Sequence, residues 1–115
     1  MQSETFASSQ KFFQWISQLR KRGVVRVALL DSAGQMMTSE ELAGWIDQAG
    51  IAGVQQLVMA IGPADGWSLE DRNAAQQIIS FGRITLPHEL ALAVAAEQVY
   101  RALTIMAGHP YHSGH

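Results

Sequence analysis

VVRVALLDSAG, residues 24–34, decides how the rest of the chain is read. Its first seven residues are β-branched or aliphatic except for Arg26, the composition of a short buried strand. Asp-Ser-Ala-Gly then supplies turn chemistry, so the strand is predicted to end at Leu30 and to open onto a loop. Upstream, Ser8 or Ser9 can cap a helix in which Phe12, Ile16 and Leu19 recur at helical spacing. Phe13 and Trp15 widen its apolar stripe, and Gly23 is a good stop. Downstream, Thr38 and Glu41 form a capping-box pattern that starts a second helix through Leu42, Trp45 and Ile46, ending near Gly50.

The same alternation continues. VQQLVMAIG (residues 54–62) becomes continuously apolar in its second half and reads as a strand covered on both faces. GPADGWS (62–68) breaks it, and Ser68 can cap a short helix, LEDRNAAQQ (69–77), with Asp71 in its first turn. IIS (78–80) reads as a third strand and FGRITLPH (81–88) as the loop leaving it. Pro87 suits the first turn of a last helix running to about Gly108. The expected fold is α/β: a small parallel sheet of about three strands with helices on both faces, in one domain over residues 1–115. Ligands of such sheets bind outside the carboxyl ends of the strands, so DSAG, GPADGWS and FGRITLPH are the loops of interest.

Bulk properties narrow the function. The 115 residues are 48% apolar and 16% charged, which excludes a disordered chain, and no apolar run nears the roughly 20 residues of a membrane span. The start, QSETFASSQ, has neither the basic head nor the apolar core of a signal peptide. With no cysteine there is no disulfide framework, and a cytoplasmic location is the expectation. A net charge of -2 argues against unspecific attraction to DNA or other nucleic acid. Lys11, Arg20, Lys21 and Arg22 do cluster early, as a solvated helix end or as a point of RNA contact. No glycine spacing matches a dinucleotide fingerprint, a phosphate-binding loop or a G-x-S-x-G nucleophile elbow.

On the last helix Leu90, Val94, Glu97 and Arg101 share one stripe, which ends in a carboxylate and a guanidinium one turn apart. As an exposed ion pair they would contribute only about 0.3–0.5 kcal/mol. Ala91, Ala93, Ala95, Ala96 and Ala102 allow another helix to approach closely, from the same chain or from a second subunit. Beyond the helix His109, His112 and His115 stand three apart, but Pro110 and Gly114 oppose the helix that would align them as metal ligands.

The stretch ITLPHELALAVAAEQVYRALTIMAGHPYH resembles the carboxyl-terminal signature of the SPOUT-class methyltransferases that modify a pseudouridine of large-subunit ribosomal RNA at ring nitrogen 3. Thr85, Leu86, Pro87, His88, Glu97, Tyr100, Arg101, His109, Pro110, Tyr111 and His112 carry the likeness; VRVALLDSAG and GPADGWS resemble the family's strand-and-turn and its glycine loop. The likeness runs from about Val24 to His112, and the chain is expected to lack an amino-terminal strand-helix-strand segment of that family. It implies a carboxyl-terminal trefoil knot, one of the rare exceptions to unknotted topology.

The resemblance also implies S-adenosylmethionine bound by Leu30, Gly62, Phe81, Gly82, Arg83, Ile84, Thr85 and Leu86, largely through backbone and apolar contacts. It implies a homodimer whose tails complete the sites, and ribosomal RNA or the assembled ribosome as partner. For the chemistry it points to Glu97, His109, Tyr111 or His112 as acceptor or orienting group for the leaving imide proton. Arg101 would bind phosphate or polarise the uracil carbonyls. A non-catalytic knotted homodimer that keeps the fold, with or without cofactor binding, is the alternative.

Overall fold

A computed structural model of the chain describes residues 5–62, 66–75, 77–82 and 87–107. Its elements are α1 (Ser9–Arg20), β1 (Val25–Met36), α2 (Ser39–Ile51), β2 (Gln56–Ile61), α3 (Leu69–Ala74), β3 (Gln77–Ser80) and α4 (His88–Met106). The three strands form a parallel sheet in the order β2-β1-β3, as the alternation of strands and helices predicts.

The local signals act where they stand in the sequence. Ser8 caps α1 by accepting from Lys11 N, and the Thr38–Glu41 capping box of α2 is complete in both directions. Period-two alternation then divides β1 between two cores. Val25, Val27 and Leu29 face Phe12 and Ile16 of α1, together with Ala60 and Trp67. Ala28 faces the opposite cluster with Leu42, Ala43, Ile79 and Ala102, against which Leu30, Phe81 and Ile105 also pack. Helices α2 and α4 therefore cover one face of the sheet and α1 the other.

The alanine-rich surface of α4 is resolved by this packing. Ala95 and Ala102 are buried, and Gln98 on the same stripe accepts a hydrogen bond from Ser39 Oγ at the start of α2 at 3.3 Å. Close approach within the chain thus accounts for that stripe, whereas Ala93 stays exposed.

Four sequence expectations need correction. DSAG does not end the first strand: Leu30 and Gln35 both align with Ile79, so Asp31–Gly34 make an excursion inside β1, and Met36 pairs again with Ser80. The return is possible because position 34 has no side chain; a Cβ there would lie 2.7 Å from Ile78 Cγ2 and 2.8 Å from the Ile78 carbonyl carbon. Secondly, α3 ends at Ala74, since Gln77 is already in the ladder opposite Ala28. Thirdly, β2 touches both cores, Val58 one and Met59 the other, yet only Ala60 is buried. Among the described residues it is an edge strand, with no strand on its outer side to complete its cover. Finally, Pro87 is the N-cap of α4 rather than a residue of its first turn.

Candidate active site

The parallel register gathers the strand ends at one edge of the sheet. Leu30 lies between Ile61 of β2 and Ile79 of β3. Gly62 follows Ile61 directly, and Phe81 and Gly82 follow the last residue of β3. Four of the residues singled out for the cofactor, Leu30, Gly62, Phe81 and Gly82, thus converge from three strands, and all four are half-buried. Arg83, Ile84, Thr85 and Leu86 lie outside the described residues, as do His109, Tyr111 and His112.

Side-chain hydrogen bonds fix the turn after β3 and the excursion of β1. Ser80 is 1% exposed, and its hydroxyl accepts from Gly82 N at 3.1 Å while donating to Gly82 O at 2.7 Å, which pins the turn after β3. Asp31 uses both carboxylate oxygens: Oδ1 accepts from Ala33 N at 2.9 Å and Oδ2 from Trp67 N at 3.3 Å. It ties the β1 excursion to the segment beyond β2. Trp67 packs its indole on Gly62, where an added Cβ would come within 2.9 Å of Nε1. Phe12 and Phe13 of α1 stand with ring centroids 5.7 and 5.9 Å from that indole.

Asp31, Trp67 and Ser80 were not singled out as site residues by sequence reasoning. Asp31 and Ser80 carried a usable signal, an Asx or Ser side chain two or three residues before a glycine where an apolar run ends. Trp67 carried none, because its partners come from α1 and β1.

On α4, Arg101 Nε donates to Glu97 Oε1 at 2.9 Å. The side chains retain 34% and 48% of their surface, so the pair is half-exposed. The neighbouring Ala102, one turn before Ile105, reaches the cluster that also holds Leu30 and Phe81, and through it α4 is anchored beneath the strand ends. Thr104 is 7% exposed and donates its hydroxyl to Arg101 O at 2.7 Å.

The arrangement offers glycine backbone, apolar side chains and fixed strand ends, with a cation and a carboxylate on the adjoining helix. Such a site can hold a mostly apolar ligand through a few polar contacts. Among the described residues no group of His, Asp and Glu could hold a metal ion. An open groove of about 470 Å³ lies near the other end of β2, beside Val54 and Leu57, and none of the predicted site residues lines it.

A family model described as "Predicted SPOUT methyltransferase" matches residues 2–112. Three relatives named "Ribosomal RNA large subunit methyltransferase H" come from Koribacter versatilis, Methylocella silvestris and Sphingopyxis alaskensis. They are 51%, 48% and 45% identical to the chain over 77%, 76% and 76% of its length. The chain spans 61%, 54% and 61% of those relatives' own lengths. With all but a few residues of its sequence matched by the family model, the chain belongs to the SPOUT methyltransferase family.

Proposed function

We propose that the chain is an S-adenosylmethionine-dependent methyltransferase of large-subunit ribosomal RNA, acting on ring nitrogen 3 of a pseudouridine. The observation that carries this reading is the convergence of Leu30, the last residue of β1 before its excursion, with Gly62, Phe81 and Gly82, which follow the carboxyl ends of β2 and β3. The family membership and the names of the three relatives support it.

The residues present suit the cofactor. The Gly62 and Gly82 backbones can approach a nucleoside, Leu30 and Phe81 offer it apolar surface, and a buried indole N–H beside Gly62 has no partner among the described residues. Arg83, Ile84, Thr85 and Leu86 complete the cofactor set in this reading. When bound, S-adenosylmethionine supplies an electrophilic methyl group on a sulfonium. The protein's task is then alignment and removal of one proton. Arg101 draws in the RNA phosphate or polarises the uracil carbonyls, oriented by Glu97 through their 2.9 Å bond. Glu97, His109, Tyr111 and His112 are the groups proposed to orient the imide or accept its proton.

The same reading includes a single domain with a carboxyl-terminal trefoil knot, a homodimer, and a cytoplasmic enzyme that meets the ribosome rather than DNA or a membrane. Among the described residues no helix is long and apolar enough to cross a membrane. The homodimer has support on α4: Leu92, Leu103 and Met106 share one stripe and are 43%, 45% and 42% exposed. A row of large apolar side chains left in water suits a second copy of the helix.

The test is transfer of labelled methyl from S-adenosylmethionine to bacterial ribosomes containing unmethylated pseudouridine, paired with calorimetry of cofactor binding. Incorporation at ring nitrogen 3 is the expected result. Binding without transfer would leave a non-catalytic cofactor-binding dimer, and absence of both would overturn the proposal.

A further inference from the structure

Trp67 breaks a local rule. The residue is 6% exposed, and its Nε1 is buried with no hydrogen-bond partner among the described residues. Indole N–H groups usually find an acceptor when buried, and an unpaired buried donor costs about 1–3 kcal/mol. Packing alone does not call for that donor, because phenylalanine would fill the aromatic wedge beside Phe12 and Phe13 without it. The indole is nevertheless aimed by three restraints. Its ring is gripped from α1, its backbone N–H is held by Asp31, and its Nε1 rests on Gly62 at the end of β2. Buried groups left unsatisfied at an otherwise well-packed position mark places where function outweighs stability.

We propose that Trp67 is a positioning residue for the cofactor, its Nε1–H being paired only in the bound state by an acceptor atom that S-adenosylmethionine brings to Gly62. This inference rests on the cofactor reading above. Because Nε1 is covered in the free protein, this pairing requires the indole to shift on binding; a Cβ at position 62 would stand within 2.9 Å of Nε1. The consequence is a pair of effects with opposite sign. Loss of the N–H removes an unsatisfied group from the free protein and a hydrogen bond from the complex.

The test is Trp67→Phe, with thermal unfolding of the free protein and calorimetric titration with S-adenosylmethionine. The expected result is a melting temperature unchanged or raised, with a dissociation constant weakened roughly three- to tenfold, the worth of one neutral hydrogen bond. A second readout on the unsubstituted protein is the indole N–H resonance of Trp67, assigned by eliminating those of Trp15 and Trp45 in Trp15→Phe and Trp45→Phe. It should shift downfield and exchange more slowly at saturating cofactor. A parallel fall in stability and affinity would make Trp67 merely structural, and a resonance unmoved by bound cofactor would overturn the inference even if Trp67→Phe does not fold. Failure of the unsubstituted protein to bind S-adenosylmethionine would overturn the cofactor reading and this inference together.

Discussion

Asp31 and Trp67 are joined across 36 residues of sequence: Asp31 Oδ2 accepts from Trp67 N at 3.3 Å, while Oδ1 of the same carboxylate accepts from Ala33 N. One side chain thereby sets both the excursion in β1 and the approach to α3. Asp31→Ala is expected to lower stability by about 1–2 kcal/mol, the loss of two bonds to a charged acceptor that is only half-buried. Asp31→Asn, which keeps one acceptor oxygen, should lose less. Urea unfolding of the two variants checks the order.

Gly34 allows β1 to return to β3 against the backbone of Ile78. Backbone atoms cannot swing aside as a side-chain tip can. Gly34→Ala should therefore cost about 2 kcal/mol or more, as overpacking does, and should disturb the Gln35–Ile79 register. Amide exchange at Gln35 and Met36 would show the loosened ladder; unchanged protection would count against the close approach.

Glu97 and Arg101 form a half-exposed pair one helical turn apart. Arg101→Met or Glu97→Gln should change stability by less than about 0.5 kcal/mol. If the pair serves the reaction, methyl transfer should fall by roughly a hundredfold or more while the fold persists. Melting curves beside single-turnover rates separate the two effects, and equal rates would return the pair to a surface role.

Leu92 and Leu103 lie on the exposed apolar stripe of α4 and outside both cores. The double substitution Leu92→Glu, Leu103→Glu is expected to leave helix content intact and to halve the mass measured by light scattering. A dimer that survives both charges would place the subunit contact elsewhere.

Much of the fold is legible in local sequence because the signals are local. Ser8 and Thr38 cap helices through atoms three residues away, and Val25, Val27 and Leu29 alternate with Ala28 over a distance that one strand spans. The convergence of Leu30, Gly62, Phe81 and Gly82 follows once the strands are parallel, since parallel strands bring their carboxyl ends to one edge. DSAG misleads for a physical reason. Its residues have turn chemistry, and the chain does leave the ladder there, but whether it comes back depends on Ile78 and Ile79, which lie more than forty residues away.

The sequence by itself determined the alternation of strands and helices, their caps, the absence of cysteine chemistry and the family likeness of the loops and the last helix. All of these depend on residues within a few positions of one another or on their order. Only the tertiary structure decided that, among the described residues, β1 is central and β2 an edge, that Ala102 packs with Leu42 and Ala43 of α2, and that Asp31 grips Trp67 over Gly62. Those choices are made by packing and by the pairing of buried polar groups between distant segments, and a linear pattern does not contain the partner.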